Sequence, residues 1–401
     1  MSENHEPPVG WSRRALGEVL SRRTERATGK EPLLSVTQAR GVISQKEVGR
    51  RDSSSVEKGS YWRVHQGDIV YNTMRMWQGV SGCSNLFGIV SPAYTVCEPS
   101  SEVWPQFLAH LFKHPGSISK FYRLSQGLVS DTWNLKYSAF ARIEFAIPPK
   151  DEQRRIAEVL DFMDDQIGIL GELAGKLQAR REGLFADALA AVVADEIPLG
   201  SCLTQSPKNG YSPKEVDEWT GLQALGLGCL APTGFEPRQL KNMSWGEARN
   251  SAALLSDGDL LMSRANTRDL VGLVGVYRDV GTPCIYPDLM MRLSPRTNVR
   301  AKFLELALRS SQVRRRIQGL AQGTSETMVK ISGSAVQDLL VKVPDLRVQD
   351  EVLEMVSVIG SEIDSCLSEK AGMSLLKKGL MNDLLTGQVR VSEAGSALDG
   401  L

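Results

Sequence analysis

Two loops rich in hydrogen-bonding side chains are the segments of this 401-residue chain best suited to recognition chemistry. Each follows a Gly-Asp-Ile or Gly-Asp-Leu run, and they read YNTMRMWQG (71–79) and MSRANTRDLVG (262–272). Arg and Asn match guanine and adenine edges, while Thr suits phosphates. We therefore predict nucleic-acid contacts from Asn72, Thr73, Arg75, Gln78, Arg264, Asn266, Thr267 and Arg268.

A second polar loop follows a Gln-Gly pair in each half, SQGLVSDTWNLK (125–136) and AQGTSETMVK (321–330). We predict further DNA contacts from Thr324 and from Lys136 and Lys330, whose ammonium groups suit phosphates. Predicted helices at 104–112 and 302–309 lead to basic patches formed by Lys113, Lys120, Arg123, Arg314, Arg315 and Arg316. For any single side chain in this set, an ordinary solvated surface position is the alternative.

Residues that would carry catalysis are scarce. The chain has no Asn/Asp-Pro-Pro-aromatic loop of an adenine methyltransferase and no phosphate-binding P-loop. His110 and His114 are spaced i, i+4, but no acidic or cysteine partner accompanies them in the sequence. We predict no catalytic residue, no metal site and no cofactor in this chain.

The cysteines and the apolar runs indicate the cellular compartment. None of the six cysteines forms a CxxC pair, so a disulfide framework or structural zinc site is disfavoured. The N-terminus lacks the apolar stretch of a signal peptide, and no run approaches about 18 apolar residues. We expect a cytoplasmic protein with no membrane association.

Charge alternates along the chain although the formal net charge is zero. Residues 1–150 carry 19 Lys/Arg against 13 Asp/Glu, and residues 197–345 carry 18 against 14. Residues 151–196 carry 5 against 11, and residues 346–401 carry 5 against 9. Because exposed charges act within about 10 Å, the two basic blocks can each offer a local phosphate-binding surface.

The same blocks form an internal repeat. Leu16-Gly17 matches Leu199-Gly200, and Gly67-Asp68 matches Gly258-Asp259. From Phe107 and Phe303 onward, the offset stays at 196 residues without a gap. Length differences therefore fall only inside the globular parts, whereas the helical parts keep one register. We predict domains at 1–150 and 197–345, helices at 151–196 and 346–392, and a disordered tail at 393–401.

Heptad spacing in both helical segments predicts a coiled coil. The apolar seam positions, which are also the predicted partner-docking residues, are Ile156, Leu160, Met163, Ile167, Leu170, Leu177, Leu184, Val352, Val356, Ile359, Ile363, Leu380 and Leu384. A helix from residue 156 to 189 is about 50 Å long, which equals roughly 15 base pairs of DNA. Short apolar runs alternating with helical patterns make each globular domain α/β (α+β).

Several strings resemble the specificity subunits of type I restriction–modification enzymes. IPPKDEQRRIAEVLD (147–161) resembles the family's Pro-Pro-x-x-Glu-Gln-x-x-Ile helix start, and KKGLMNDLLTGQVRV (377–391) resembles the end of its second conserved helix. The Leu-Gly and Gly-Asp-Ile elements resemble its target-recognition domains. The second helix start departs from the family pattern, because Val348 stands where the first copy has Glu152.

The resemblance implies a non-catalytic subunit in which each target-recognition domain reads one half of a split double-stranded DNA site. It implies two antiparallel conserved helices that set the gap and dock two methyltransferase subunits, with restriction subunits where present. S-adenosylmethionine would be bound by the methyltransferase partners. The duplication supplies the pseudo-two-fold symmetry that two identical partners need.

Two other readings of the sequence stay open. A fused methyltransferase or nuclease would require the isolated chain to bind S-adenosylmethionine or a metal. A coiled-coil scaffold that binds only protein would show no DNA affinity in the presence of its partners. The recognised bases and the gap length are not readable from this sequence.

Overall fold

The computed structural model describes residues 6–48, 58–127, 133–245, 252–323 and 328–391. The predicted tail at 393–401 lies outside these residues. The chain divides into two compact units: unit 1 comprises Met1–Leu170 with Ser368–Leu401, and unit 2 comprises Gly171–Leu367. Each unit contains one globular head, which we call head 1 (residues 6–149) and head 2 (residues 192–345). The unit boundaries fall within the two long helices.

Head 1 is an antiparallel sheet covered by short helices. The central strand β6 is apolar and buried, pairing with β9 and β7, while β9 also pairs with β2. Four phenylalanines, from Phe107 to Phe140, pack in its core. The elements are β1 (Ser12–Ala15), α1 (Leu16–Val19), β2 (Leu20–Arg22), β3 (Leu34–Thr37), β4 (Gly41–Ser44), β5 (Trp62–Val64), β6 (Ile69–Asn72), β7 (Ser81–Cys83), β8 (Gly88–Val90), β9 (Tyr94–Pro99), α2 (Pro105–Lys113), α3 (Pro115–Leu124), α4 (Tyr137–Phe140) and β10 (Glu144–Ile147).

The long helix α5 (Lys150–Ala191) follows head 1 directly. Its start is fixed by Pro148-Pro149, since proline suits a first turn and opposes helix in the residue before it. Asp151 and Glu152 lie in that first turn, where carboxylates interact favourably with the helix dipole.

Head 2 repeats this plan and adds a second small sheet. Strand β17 pairs with β19 and β21, and β21 pairs with β12; a separate sheet has the order β16-β13-β20. The elements are β11 (Glu196–Pro198), β12 (Lys208–Asn209), β13 (Gln223–Leu225), β14 (Leu230–Ala231), β15 (Gly234–Phe235), β16 (Leu240–Asn242), β17 (Leu260–Ser263), β18 (Ala265–Asn266), β19 (Val274–Val276), β20 (Cys284–Ile285), β21 (Met290–Leu293), α6 (Ala301–Arg309), α7 (Ser311–Leu320), β22 (Val329–Lys330), α8 (Gly333–Gln337) and β23 (Leu340–Lys342). The second long helix, α9 (Leu346–Thr386), follows.

A buried glutamine joins each head to its following helix in the same way. Gln153 Oε1 accepts from the Trp104 backbone N–H at 2.8 Å, and its Nε2 donates to the Pro148 carbonyl at 2.8 Å. Gln349, 196 residues on, accepts from Arg300 N–H at 2.8 Å and donates to the Pro344 carbonyl at 2.7 Å. The sequence repeat is therefore also a repeat of hydrogen bonds. We call these contacts the glutamine joints.

The Leu-Gly elements of the two heads also make equivalent backbone hydrogen bonds. Leu16 N–H donates to the Ile143 carbonyl at 2.9 Å, and Leu199 N–H donates to the Leu339 carbonyl at 2.8 Å. A Cβ added at Gly17 would lie 2.9 Å from the Ala141 Cβ, so a larger residue there would clash. Glycine is thus required by the close approach of two backbones.

The two long helices pack against each other and run antiparallel. In unit 1, Lys377 on α9 forms an ion pair with Asp164 on α5, and Arg390, just beyond α9, bonds Glu152 at 2.7 Å. In unit 2, Phe185 of α5 packs with Val356 of α9. In unit 1, therefore, residue numbers rise along one helix as they fall along the other. Across the described residues, no helix is both long and apolar enough to cross a membrane.

Candidate nucleic-acid interface

In head 1 the first predicted loop is folded by its own polar side chains. The Asn72 side-chain oxygen accepts from Met74 N–H at 3.0 Å, and the Thr73 hydroxyl donates to the Ala93 carbonyl at 2.7 Å. Gln78 is partly exposed, and its carbonyl accepts from the Gln38 side chain at 3.1 Å. Arg75 is exposed. Among the predicted contacts in this loop, Thr73 therefore has a structural role, and Arg75 has the most solvent-accessible side chain.

In head 2, backbone hydrogen bonds to two other segments hold the corresponding loop at Arg264. Arg264 N–H donates to the Leu289 carbonyl at 2.8 Å, and the Arg264 carbonyl accepts from Ile331 N–H at 2.9 Å. The side-chain oxygen of Asn266 accepts from Thr267 N–H at 2.8 Å. Side chains of Arg264, Asn266, Thr267 and Arg268 are all partly exposed.

The structure brings the two predicted loops of each head together. In head 1, Leu135 of the second loop donates its N–H to the Thr73 carbonyl at 2.8 Å, as Ile331 does to Arg264 in head 2. In head 2, β18 pairs with β22, which places Asn266 beside Val329. The sequence places these loops about 60 residues apart, so their adjacency arises from the fold. Thr324 lies outside the described residues.

Predicted contact residues of the two heads do not occupy matching positions. The shared hydrogen bond makes Thr73 the counterpart of Arg264. Lys330 forms backbone hydrogen bonds with Gln322, and Asn134 forms the same bonds with Gln126. Asn134 is therefore the counterpart of Lys330. Lys136 instead precedes α4 as its N-cap. Both lysines are exposed.

Three aromatic side chains that we did not predict as contacts lie beside these loops in head 1. The ring centroids of Trp77 and Trp133 are 5.3 Å apart, those of Tyr122 and Trp133 4.9 Å, and those of Trp77 and Tyr122 6.3 Å. We call them the aromatic trio. Their signal in the sequence is the presence of tryptophan in two otherwise polar loops.

Comparison with known proteins identifies the relatives of this fold. The family model for the type I restriction modification DNA specificity domain matches residues 8–179. The type I restriction enzyme EcoKI specificity subunit of Escherichia coli K12 is 23% identical over 67% of this chain and 61% of its own length. The MjaVIII specificity subunit of Methanocaldococcus jannaschii is 21% identical over 92% of this chain and 88% of its own length.

Over most of its length, the chain is similar to the specificity subunits of type I restriction enzymes. Among solved structures, the type I restriction–modification S subunit from M. genitalium covers 96% of this chain and 98% of its own with a TM-score of 0.53. At 15% identity, that likeness shows the shared fold. The predicted fold class is thereby confirmed.

Most cations of the predicted basic patches make contacts within the fold itself. Lys120 donates to the Glu144 carbonyl at 2.6 Å and lies 4.4 Å from the Phe145 ring centroid. Arg316, its counterpart in head 2, donates to the Leu340 carbonyl at 3.2 Å. Burial lowers the pKa of the Lys113 ammonium. Only part of each patch is therefore available to a phosphate; Arg315 is exposed.

Arg314 holds the first loop of head 2 in place. Its guanidinium donates to the Asp269 carbonyl at 2.7 Å and also to the Val271 carbonyl. Gly272, at φ +69°, closes the loop with its Cα against Ile317, so a side chain there would be strained and would clash. The Arg314 guanidinium thus holds the loop backbone in place and is not directed toward a ligand.

The thirteen seam residues are all buried or partly buried. Apolar side chains outside the seam are exposed on both long helices, including Phe162 (54%) and Ile169 (56%) on α5 and Met355 (51%) and Val358 (63%) on α9. Phe162 and Val358 are separated by the repeat offset of 196. The two long helices therefore present a duplicated apolar position to solvent.

Among the described residues, His110 and His114 do not share a partner, and the thiols of Cys83 and Cys284 are partly buried and buried, respectively. His110 Nε2 contacts Asp161 at 2.7 Å, whereas His114 Nδ1 accepts from Gly116 N–H at 3.1 Å, so the two rings have different partners. Burial raises the pKa of Cys83 and Cys284 to about 12, which disfavours a nucleophilic thiolate. In the part of the chain that the structure describes, no three His, Cys, Asp or Glu side chains cluster as a metal site.

Proposed function

We propose that this chain is the DNA-recognition subunit of a type I restriction–modification enzyme and reads a split site, one half with each head. The observation that carries the proposal is the hydrogen bond from Leu135 to Thr73, repeated from Ile331 to Arg264. It assembles two polar loops into one surface on each head. A protein with two such surfaces on a duplicated scaffold suits two short DNA half-sites.

The side chains on these surfaces suit DNA in type and exposure. Arg75, Lys136 and Lys330 are exposed, and Arg264 and Asn266 are partly exposed. Arginine and asparagine can read base edges, whereas lysine neutralises phosphates and makes affinity depend on salt. The loops are fixed to the sheet by backbone hydrogen bonds, and rigid positioning is what base readout requires.

The long helices are proposed to separate the heads and to dock partners. A 42-residue helix is about 63 Å long, which is the length of roughly 18 base pairs. Exposed Phe162 and Val358 sit at equivalent positions of the repeat, as two identical methyltransferase subunits would require. In this proposal, those partners bind S-adenosylmethionine and methylate the DNA, restriction subunits add to the complex where present, and this chain performs no catalysis.

Methylome sequencing tests the proposal most directly. A host expressing the chain with its methyltransferase partner is compared with a host expressing the methyltransferase alone. We expect chain-dependent methylation at a motif with two short specific halves around a fixed unspecified gap. If a stable complex with the methyltransferase forms but no chain-dependent motif appears, the recognition role is wrong and a protein-binding scaffold replaces it.

A further inference from the structure

The aromatic trio occupies the surface where the two loops of head 1 meet. Trp77 lies in the first loop, and Trp133 lies two residues before Leu135, whose N–H bonds the Thr73 carbonyl. Tyr122 extends from α3 and is 50% exposed. The exposed cations Arg75 and Lys136 belong to the same two loops. An apolar surface thus lies within the positively charged face proposed to meet DNA.

The geometry of the trio makes that surface rigid. The three rings meet edge to face, with interplanar angles of 77° for Trp77–Trp133 and 83° for Tyr122–Trp133. Edge-to-face packing is a favourable arrangement of aromatic rings. Trp77 Nε1 donates to the Met74 carbonyl at 3.0 Å, so its indole N–H is already used. The Trp77 ring therefore presents carbon atoms, and no hydrogen-bond donor, to a ligand.

This chemistry limits what the trio can recognise on a duplex. Base edges in the grooves carry hydrogen-bond donors and acceptors, with a single apolar group among them: the C5 methyl of thymine in the major groove. Phosphates and sugars carry no comparable methyl group. The carbon atoms of the Trp77 ring, near the exposed cations Arg75 and Lys136, therefore match a thymine methyl beside a phosphate backbone.

Head 2 lacks an equivalent surface. The positions 196 residues on from Tyr122 and Trp133 are Gln318 and Val329, and the loop at 264–272 contains no tryptophan or tyrosine. That loop carries Arg264 and Arg268 instead. The two heads share a scaffold and differ in the chemistry of the surface that the scaffold presents.

We propose that the aromatic trio is a specificity-determining surface of head 1, which contacts the methyl group of a thymine in its half-site. This inference rests on the proposed function, because it assumes that head 1 reads DNA. It adds an apolar contact to the hydrogen-bonding contacts predicted from Arg75 and Asn72.

Replacement of thymine by uracil tests the contact without changing the protein. The full chain in complex with its methyltransferase is titrated with fluorescent duplexes that carry the methylome-defined motif. Each thymine of the half-site assigned to head 1 is replaced by uracil in turn. Loss of one buried methyl group predicts about fourfold weaker binding at one of these positions.

Variants then connect the methyl group to the trio. We expect Trp77→Ala to weaken binding to the thymine duplex and to remove the difference between thymine and uracil, with Tyr122→Ala as a second variant that removes an exposed ring. Trp219→Ala is the matched control, since Trp219 is an exposed tryptophan of head 2 outside the loops. It should leave the thymine-to-uracil ratio at about four.

Three results would overturn the inference. The first is a head 1 half-site without thymine on either strand, and the second is unchanged affinity for every uracil duplex. The third is a thymine-to-uracil ratio that survives in both Trp77→Ala and Tyr122→Ala. Each of these presupposes a split motif, so failure here is distinguishable from failure of the proposed function, which would yield no motif.

Discussion

Thr73 and Arg264 make the same main-chain hydrogen bond and carry different side chains. The Thr73 hydroxyl donates to the Ala93 carbonyl. In Arg264, by contrast, it is the backbone that is fixed: its N–H donates to the Leu289 carbonyl at 2.8 Å, and its carbonyl accepts from the Ile331 N–H at 2.9 Å. The shared scaffold thus fixes where a residue stands and leaves its chemistry open. Readout at the level of single residues must therefore be tested separately in each head.

Arg75→Ala and Arg264→Ala are each expected to weaken binding at one half-site only. Loss of a bidentate base contact costs about 1–3 kcal/mol, or roughly five- to 150-fold in affinity. Competition titrations with duplexes mutated in either half-site measure this. Arg347→Ala, an exposed arginine on α9, is the control. A uniform loss on scrambled DNA with a shallower salt dependence would mean that the arginines bind phosphates.

His114 is expected to make the stability of unit 1 depend on pH. Burial lowers its pKa, with a side-chain hydrogen bond to Asn382 opposing the shift. The unfolded chain therefore binds the proton first as the pH falls. The stabilisation from neutral His114 is complete above about pH 6.5 and is lost below it, by at most about 1.4 kcal/mol per pH unit.

The test is urea unfolding at pH 7, 6 and 5. His114→Asn retains a side-chain oxygen that can cap α3 and removes the titration, so its unfolding free energy should change less with pH than that of the native chain. His65→Asn, which alters a more exposed ring, is the control. Parallel pH profiles for the native chain and His114→Asn would contradict the assignment.

At the scale of elements, the repeat and the helix starts could be predicted from the sequence, whereas the contact between the two loops could not. The repeat and the helix starts were readable because Gln153 and Gln349 keep their offset in an ungapped segment. The meeting of Leu135 with Thr73 was not readable, because it depends on how strands and loops stack in three dimensions. Lys120 and Arg316 were predicted as members of basic patches, and the sequence could not reveal that each of these cations bonds a nearby carbonyl.

Arg314→Ala is expected to loosen the loop at 264–272 while leaving α7 in place. The variant removes the hydrogen bonds to the carbonyls of buried Val271 and exposed Asp269, which costs about 1–3 kcal/mol. Hydrogen–deuterium exchange should increase in this loop, and affinity should fall only for the half-site of head 2. Arg315→Ala is the control for loop exchange, because Arg315 bonds within its own helix. Unchanged exchange would exclude this positioning role.

At the scale of the whole molecule, the repeat offset predicts partner stoichiometry. Phe162→Asp and Val358→Asp each place a charge on an exposed apolar position. We expect each single variant to bind one methyltransferase subunit and the double variant to bind none, as measured by native mass spectrometry. Ala186→Asp, at another exposed position of α5, is the control. Two bound subunits in the double variant would place the docking surface elsewhere.

Removing one heptad from each long helix tests whether the helices set the gap. Residues 168–174 and 367–373 are suited to this, because Asp164 meets Lys377 in unit 1 and Arg181 approaches Gly360 in unit 2. The deletion shortens each helix by about 10 Å, so the methylated motif should lose roughly three base pairs from its gap. Deletion from one helix alone should break the seam register and reduce stability. An unchanged gap would refute the spacer role.

The glutamine joints have a consequence for how such a protein can change through recombination. Because Gln153 and Gln349 bond equivalent backbone groups on the two heads, a gene segment that encodes one head could replace the other and keep the hydrogen bonds of the joint. Exchange at the joints would yield a protein with one half-site repeated or with the two halves in reversed order. New DNA recognition sites could then arise by exchange of the gene segments that encode the heads, without stepwise change of a binding loop.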